Sequence, residues 1–423
     1  MKTKLVIFGV TGDLSRRMLL PALRKIVRNE AIDDLEIIGV SRQPLDMERL
    51  VGKTLAPIST SISIDLAEQK SYHTLKKHLA LTAEDQAVFY LSVPPAAATR
   101  IADNLGEAGL NTTNCKVLFE KPFGVDLTSA EEMTARTNTF FDEDQIYRID
   151  HYLAKEMAQN IVAFRSGNAV LRHVWSRQSI ERIEILALET VDVESRGQFY
   201  EQVGALRDVV QGHLMQLLAL ILMDTPSKLD WDQLPRLRQQ ALSRLQPANP
   251  TSASRAQYRG YARDVKNPKT QTETFVSVQL VSDSGNWEGV PISLVTGKAL
   301  SEKRTEIKIY FRANNIEQSN CLRFKVQPNE GIEIDLYTKK PGYTRSFEMQ
   351  KLHFEYPEDT VLPSAYEQVI VDAVLSRKSL FTSSAEILES WRVLQPLLEA
   401  WAIDTVKIPT YPKGAEYRML LGA

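Results

Sequence analysis

The sequence predicts two domains of different fold class. Residues 1–150 are expected to form a Rossmann-like, doubly wound parallel sheet, and residues 151–423 a large, mostly antiparallel sheet with helices on one face. Three patterns predict this: a strand, glycine turn and helix at the N-terminus, apolar runs alternating with helical segments up to about 150, and successive alternating strands after about 175. A chain of 423 residues is also too long for one simple core.

The composition is that of a soluble globular protein, with 43% hydrophobic and 25% charged residues. A net charge of −2 gives no electrostatic reason to expect nucleic acid or an anionic membrane as partner. Two cysteines are too few for a disulfide scaffold, and no apolar run approaches the ~20 residues of a membrane span. We therefore expect a cytoplasmic protein.

The N-terminal segment predicts a dinucleotide site. The apolar run Leu5–Phe8 is typical of a buried parallel strand, and it leads into Gly9-Val10-Thr11-Gly12-Asp13-Leu14 and then a helical segment that Pro21 should kink or restart. Glycines in such a turn let the backbone approach a pyrophosphate. The G-x-x-G spacing is shorter than the full fingerprint and has low specificity alone.

Later strands of this domain also end in candidate ligand residues. The strand Leu35–Val40 is followed by Arg42 without a neighbouring acid, which favours NADP, although a plain surface arginine is an equal alternative. Val88–Val93 ends at Pro94-Pro95, and Lys116–Phe119 ends at Glu120-Lys121-Pro122. A lysine just after a parallel strand should project into the ligand crevice.

The stretch Ile149–Lys155 contains four residues whose side chains could bind a ligand or transfer a proton. Asp150 is a natural helix N-cap, and His151 and Lys155, four residues apart, would then share one helix face. A helix start with these cations could hold a dianionic phosphate. The alternative is a capped surface helix with solvated charges.

The C-terminal half is predicted as an antiparallel sheet that is polar on one side. The expected strands are Ile180–Val191, Thr274–Val281, Val290–Thr296, Thr305–Phe311, Leu322–Val326, Ile332–Tyr337 and Ser346–Phe354. Helices at about 203–223, 364–377 and 385–402 would cover its other face, and 226–272 would be a peripheral excursion.

His213 lies on or beside the apolar stripe of the 203–223 helix. A histidine in that position is most often a satisfied core residue. The alternative is a general base whose ring is oriented by a carboxylate.

Taken together and in order, these motifs resemble the glucose-6-phosphate dehydrogenase family. The matching stretches are Gly9–Leu14, Glu120–Gly124, Arg148–Glu156, Arg196-Gly197, Gly204, Arg207–Val209, His213–Gln216, Gly297–Leu300 and Val326–Glu330. The resemblance covers nearly the whole chain.

The resemblance implies oxidation of D-glucose 6-phosphate at C1 to 6-phospho-D-glucono-1,5-lactone, the first step of the oxidative pentose phosphate pathway. His213 would be the base, and Asp150 would meet it across a cleft between the domains and orient it. The implied substrate-binding residues are Lys121, His151, Tyr152, Lys155, Glu189, Asp208, Lys298 and Gln327. The implied coenzyme-binding residues are Gly9, Thr11, Gly12, Asp13, Leu14, Arg42, Pro94 and Lys121.

Several positions depart from the family pattern. Met18 replaces a customary basic residue near the coenzyme phosphates, which would weaken discrimination for NADP over NAD. We therefore expect NADP as coenzyme with NAD as an alternative, and no metal. Ala154 replaces a glycine and Gly212 an asparagine. The chain is also shorter than most members, chiefly in 226–272 and at the C-terminus. A homodimer or homotetramer is what the family implies.

Two other functions compete with this one. An oxidoreductase acting on another sugar would use a lysine as acid and base and need no phosphate pocket. A non-catalytic NADP-binding paralogue would have lost the base. The Asp150–Lys155 cluster and His213 argue against the first, and the presence of both His213 and Asp150 argues against the second.

Overall fold

The computed structural model describes residues 2–226, 228–283, 285–313, 319–357 and 359–421, with the backbone alone at residue 195. These residues divide into two compact units, each considered by itself. The first unit comprises Met1–Ala154, Asp230–Pro235 and Leu362–Leu388. The second comprises Lys155–Leu229, Arg236–Val361 and Glu389–Ala423.

The strands are numbered in chain order. They are β1 Thr3–Phe8, β2 Leu35–Ser41, β3 Ser59–Ser63, β4 Gln86–Leu91, β5 Cys115–Phe119, β6 Ile146–Ile149, β7 Ile180–Leu188, β8 Ala253–Tyr258, β9 Phe275–Leu280, β10 Ile292–Gly297, β11 Arg304–Phe311, β12 Cys321–Gln327, β13 Gly331–Lys339, β14 Phe347–Glu355, β15 Phe381–Thr382 and β16 Thr410–Tyr411.

The α-helices are numbered in the same way. They are α1 Leu20–Arg28, α2 Met47–Val51, α3 Gln69–Leu79, α4 Pro95–Glu107, α5 Leu127–Thr137, α6 Glu156–Gly167, α7 Ala169–Arg172, α8 Gly197–Ala205, α9 Met215–Leu222, α10 Leu234–Ser243, α11 Tyr261–Asp264, α12 Ala365–Val374 and α13 Ser384–Ala402. Two π-helical segments, Ser15–Leu19 and Leu206–Leu214, lead directly into α1 and α9.

The first unit contains the predicted parallel sheet, which confirms the predicted fold class for this part of the chain. Its strand order is β15-β6-β5-β4-β1-β2-β3, and every pair is parallel except β15 with β6. All six residues of β1 and of β4 are buried, as expected for strands covered on both faces. Pro21 restarts the helix, because it occupies the first turn of α1 after the π-helical segment.

The predicted position of one C-terminal helix was wrong. We expected residues 364–377 to cover the antiparallel sheet, but α12 belongs to the first unit and packs on α1. Its buried Val369, Ile370 and Ala373 join the core formed by α1 and the parallel sheet. The apolar periodicity of α12 predicts a buried face but carries no information about the element that covers it.

The second unit contains the predicted large sheet, with strand order β14-β13-β12-β11-β7-β10-β9-β8-β16. Most pairs are antiparallel, which confirms the predicted class, while β10 with β7 and β16 with β8 are parallel. The polar face is more buried than expected. Glu306 and Lys308 are about 5% exposed or less, and Lys308 forms ion pairs with Glu184 and Glu306 at 3.1 and 3.6 Å.

Residues 226–272 were wrongly predicted to be peripheral. Within the second unit, β8 pairs with β9 and becomes part of the large sheet. Leu242 and Leu245 are almost completely buried. The cluster of Pro, Ser and Asn that suggested an excursion lies at the turn before β8, where Asn249 caps a short helical turn.

The helical run Gly197–Leu222 is long and apolar enough, by length and composition, to cross a membrane. However, 83% of its most apolar window is buried, which is also the property of a core helix in a soluble protein. In the second unit, the π-helical part of this run contacts β7 and β10.

Candidate functional site

The carboxyl edge of the parallel sheet gathers most of the predicted coenzyme residues. The strand register aligns Phe8 with both Val40 and Leu91, so the segments that follow β1, β2 and β4 leave the sheet at one edge. These segments carry the glycine turn, Arg42 and Pro94. In open parallel sheets, ligands bind at this edge.

The glycine turn is shaped for close approach to the backbone. Gly9 has a φ of +79°, and a Cβ atom there would overlap the carbonyl oxygen of Ser92. The N–H of Gly12 donates to the carbonyl of Gly9 at 2.9 Å, and the Ser15 hydroxyl donates to the same carbonyl at 3.0 Å. Glycines at positions 9 and 12 would let the backbone of this turn approach a pyrophosphate closely, because neither carries a side chain. Thr11, Asp13 and Leu14 belong to the same turn.

The next strands place Lys121 and Asp150 at the same edge of this unit. Leu91 aligns with Phe119, and Phe119 with Arg148, so the segments after β5 and β6 follow the same direction. Beside Lys121, the carboxyl of Glu120 accepts a hydrogen bond from the Tyr90 hydroxyl, and burial raises the pKa of Glu120 to about 7. This buried carboxyl anchors the segment that carries Lys121.

Asp150 is not the N-cap of a helix, contrary to our prediction. The helix α6 begins at Glu156, and residues 150–154 form turns before it. The Asp150 carboxylate instead accepts the Tyr152 N–H at 2.9 Å, as in an Asx turn. His151 and Lys155 therefore do not share a helix face. His151 packs edge-on against the Tyr152 ring, with centroids 5.2 Å apart.

The second unit brings together four of the predicted substrate residues in two pairs. Because β7 and β10 are parallel neighbours with Leu188 beside Gly297, Glu189 and Lys298 follow them at the same edge, where they form an ion pair. Lys155 Nζ donates to Gln327 Oε1 at 2.6 Å, and the Gln327 amide donates to the Thr305 hydroxyl at 2.9 Å. Two lysines are thus held in place by polar neighbours.

Asp208 and His213 lie on the π-helical segment Leu206–Leu214. His213 is 5% exposed, so the core alternative raised by the sequence is correct about its burial. The i→i+5 hydrogen bonding that defines a π-helix links residues five positions apart, which is the separation of Asp208 and His213. Segments of π-helix are rare in proteins, and those that occur often lie at functional sites.

A buried carboxylate fixes the start of this segment. Gly204, with φ +69° and ψ 174°, breaks the helical run, and the Leu206 N–H donates to Glu273 Oε1 at 2.9 Å. The Ala205 N–H also donates to the Glu273 carbonyl at 3.0 Å. Burial raises the pKa of Glu273. Glu273 therefore positions the segment that carries His213.

Sequence reasoning missed three further features near the predicted residues. Glu273 had no motif around it, and Tyr200, whose ring lies 5.2 Å from Lys298 Nζ, resembled ordinary core. Three arginines, Arg16, Arg24 and Arg49, line a cavity beside Thr11. Charge alone could have drawn attention to these arginines, but separate helices bring them to one place.

The parallel sheet and its glycine turn define a protein with a dinucleotide-binding fold and a second, sheet-containing unit. A UDP-N-acetylglucosamine 3-dehydrogenase from Acidithiobacillus ferrooxidans shares this fold, with a TM-score of 0.51 and 14% identity over 96% of this chain and 100% of that one. At this identity the likeness concerns the fold alone.

The chain belongs to the glucose-6-phosphate dehydrogenase family. Residues 6–63 and 51–160 match the family's NAD binding domain, and residues 162–417 match its C-terminal domain. The glucose-6-phosphate 1-dehydrogenase of Borreliella burgdorferi is 34% identical over 97% of this chain and 94% of its own length. A glucose-6-phosphate dehydrogenase solved with its substrate glucose 6-phosphate has a TM-score of 0.93 and 29% identity, covering 100% of this chain and 98% of that one.

Proposed function

We propose that this protein oxidises D-glucose 6-phosphate at C1 to 6-phospho-D-glucono-1,5-lactone, with NADP as hydride acceptor. The observation that carries the proposal is the likeness, over the whole chain, to a dehydrogenase solved with glucose 6-phosphate bound. The two predicted domains, 1–150 for coenzyme and 151–423 for substrate and dimerisation, belong to the same proposal.

In this mechanism, the bound coenzyme would supply the hydride acceptor for C1, and the glycine turn Gly9–Leu14 with Arg42 and Pro94 would hold it. His213 takes the proton from the C1 hydroxyl, so that the C1–O bond becomes a carbonyl as the C1–H bond breaks. Asp150 holds the His213 ring in orientation and stabilises its imidazolium form. Both roles follow from the family resemblance. The burial of His213 supports them, because a base excluded from bulk water keeps a fixed position.

The remaining polar residues bind substrate in this proposal. His151, Tyr152, Lys155 and Lys298 hold the 6-phosphate, and Lys121, Glu189, Asp208 and Gln327 hydrogen-bond the sugar hydroxyls. The pairs Lys155–Gln327 and Lys298–Glu189 support this assignment, since each places a lysine beside a hydroxyl-binding partner. A bound phosphate would compete with Glu189 for Lys298.

A direct absorbance assay tests the proposed function. Purified protein is mixed with glucose 6-phosphate and either NADP or NAD, and reduced nicotinamide is followed. We expect turnover with the phosphorylated sugar. Turnover with glucose alone would favour an oxidoreductase of another sugar, and tight NADP binding without turnover would favour a non-catalytic paralogue.

Lys155→Ala tests the phosphate assignment. Loss of a charge-assisted hydrogen bond should raise the KM for glucose 6-phosphate roughly tenfold to a hundredfold, with a smaller effect on kcat. Burial lowers the pKa of Lys155, so its ammonium group loses its proton at a lower pH than that of an exposed lysine. In the unaltered protein, the KM for glucose 6-phosphate should therefore begin to rise at that lower pH. This rise with pH should vanish in the variant. An unchanged KM would contradict the assignment, and Lys77→Ala at an exposed position on α3 serves as control.

We also propose that the protein is a homodimer that associates through the edge of the large sheet. Leu336, Leu352 and Phe354 share one face of the β13–β14 hairpin and are 38%, 57% and 44% exposed. Apolar side chains on an edge hairpin are typical of an interaction surface. Sedimentation should give twice the 47.8 kDa chain mass, and Leu352→Asp should shift it to that of one chain. A single-chain mass for the unaltered protein would exclude the dimer.

A further inference from the structure

The segment of the second unit that carries Lys298 has a strained backbone. It follows β10 directly, and its next residue, Ala299, has a φ of +52°. Residues other than glycine rarely adopt this left-handed region, and they remain there only where the surrounding structure holds the backbone in place. Strain of this kind is frequent at ligand-binding sites. The contacts around Ala299 therefore help to decide where the Lys298 side chain begins.

The backbone N–H groups of this segment are bonded within the large sheet and the loop after β7. The Lys298 N–H donates to the Thr274 carbonyl at 2.9 Å, and the Ala299 N–H donates to the Val191 carbonyl at 2.8 Å. These bonds satisfy the donors of both residues. The carbonyl oxygens of Lys298 and Ala299 still need donors, because a buried carbonyl without a partner is costly.

Residues 410–415 supply donors to both carbonyls. The Tyr411 hydroxyl donates to the Lys298 carbonyl at 2.7 Å, and the Gly414 N–H donates to the Ala299 carbonyl at 2.7 Å. The strand β16 pairs in parallel with β8, which places Tyr411 beside Tyr258 and ties this segment to the large sheet. A part of the chain more than a hundred residues later thus holds the carbonyl side of the Lys298 segment.

The Tyr411 hydroxyl belongs to a buried chain of hydrogen bonds. Tyr411 is 1% exposed, and its hydroxyl oxygen lies 3.0 Å from Thr274 Oγ1, which accepts the Tyr258 N–H at 2.9 Å. With Thr274 donating to Tyr411, each hydroxyl both donates and accepts, and the chain ends at the Lys298 carbonyl. Burial raises the pKa of Tyr411, so its hydroxyl keeps its proton and remains a donor at physiological pH.

The Lys298 side chain itself forms an ion pair with Glu189, and its Nζ lies 5.2 Å from the centre of the Tyr200 ring. We propose that Tyr411 is a positioning residue for Lys298: together with the Gly414 N–H, its hydroxyl fixes the backbone from which Lys298 reaches the 6-phosphate of the substrate. This inference rests on the proposed function and deepens it, since it gives residues 410–415 a part in substrate binding.

Calorimetric titration with glucose 6-phosphate tests this inference without turnover. Tyr411→Phe removes the hydroxyl and keeps the ring, so the variant should fold. Its Kd for glucose 6-phosphate should rise roughly threefold to tenfold, which corresponds to one hydrogen bond. In steady-state kinetics KM should rise with Kd, while kcat changes less. Tyr72→Phe is the matched control and should leave Kd unchanged, because the Tyr72 hydroxyl is also buried and donates to a backbone carbonyl, that of Leu66, at 3.0 Å.

A double-mutant cycle separates positioning of Lys298 from general stabilisation of the fold. If Tyr411 acts through Lys298, Tyr411→Phe should have no further effect on Kd or KM in a Lys298→Ala background. Additive effects of the two substitutions would overturn the inference, because a tyrosine that only stabilises the fold would weaken binding with or without the lysine. An unchanged Kd in Tyr411→Phe would overturn it as well.

Gly414→Ala provides a second variant in the same segment. Gly414 has a φ of +83°, which alanine adopts only with strain, although a Cβ atom there meets no described atom within 4 Å. The variant should therefore fold and shift the N–H that donates to Ala299. We expect Kd for glucose 6-phosphate to rise, and the rise to vanish in the Lys298→Ala background. A rise that persists in that background would contradict positioning through Lys298.

The two proposals fail separately. Binding of glucose 6-phosphate that depends on Tyr411 and Lys298, in a protein that does not oxidise it, would remove the proposed function and keep the positioning role. Turnover of glucose 6-phosphate with Kd and KM unchanged in Tyr411→Phe would keep the function and remove the positioning role. A protein that neither binds nor oxidises glucose 6-phosphate would overturn both.

Discussion

Replacement of His213 by Asn is expected to lower kcat for glucose 6-phosphate oxidation by roughly 10²–10⁴, the usual contribution of a general base. The asparagine side chain can fill most of the space of the ring and can form a hydrogen bond, but it cannot accept a proton at neutral pH. The KM for the sugar phosphate should change little, because the phosphate is assigned to other residues. Steady-state kinetics with saturating coenzyme measures both parameters.

A matched histidine variant and a partner variant make this test specific. His73→Asn, at an exposed position on α3, should leave kcat unchanged. Asp150→Asn should also lower kcat, since an amide cannot stabilise the imidazolium form of the base. Turnover within a few-fold of the unaltered protein in His213→Asn would mean that another group takes the proton.

Replacement of Gly204 by Ala should destabilise the protein and reduce its activity together. The backbone of Gly204, at φ +69° and ψ 174°, lies in a region that is essentially restricted to glycine and costs other residues roughly 1–3 kcal/mol. A Cβ atom there would also overlap the buried Glu273 carboxylate, with its Cδ only 2.8 Å away. Overpacking of this kind adds roughly 1–3 kcal/mol. Urea denaturation measures the loss in the free energy of unfolding.

The loss of activity follows because Glu273 holds the start of the segment that carries His213. A displaced carboxylate would release the Leu206 N–H and shift Asp208 and His213. Gly167→Ala is the control: Gly167 ends α6, and a Cβ atom there meets no described atom within 4 Å. Should Gly204→Ala match Gly167→Ala in stability and rate, the backbone at Gly204 would not constrain this segment.

Much of the fold could be predicted because local patterns are strong where burial is complete. The apolar run Leu5–Phe8 and the alternation of Thr305–Phe311 identified strands whose place in a sheet the structure confirms. The glycine turn could be predicted as well, since its conformation depends on a few neighbouring residues. The roles of the site residues came from the resemblance to a family and stay predictions.

The errors arose where one local sequence pattern is compatible with more than one three-dimensional arrangement. Asp150 is a residue type that favours the N-cap position. However, its carboxylate accepts the Tyr152 N–H in a turn, and the helix begins six residues later, at Glu156. The stripe of α12 predicts burial correctly but could not say that α1 would cover it. Residues 226–272 were predicted to be peripheral because the Pro, Ser and Asn cluster before β8 indicates a loop rather than a strand of the sheet.

The sequence by itself determined the two sheets, the position of the glycine turn and the family to which the chain belongs, because each depends on residues close in sequence or on motifs in a fixed order. Tertiary structure alone decided which distant side chains become neighbours. Glu273 with Leu206, Lys155 with Gln327, and the three arginines of the cavity are each brought together by strand register and helix packing. These long-range contacts depend on how whole elements pack, which the local pattern of residues does not encode.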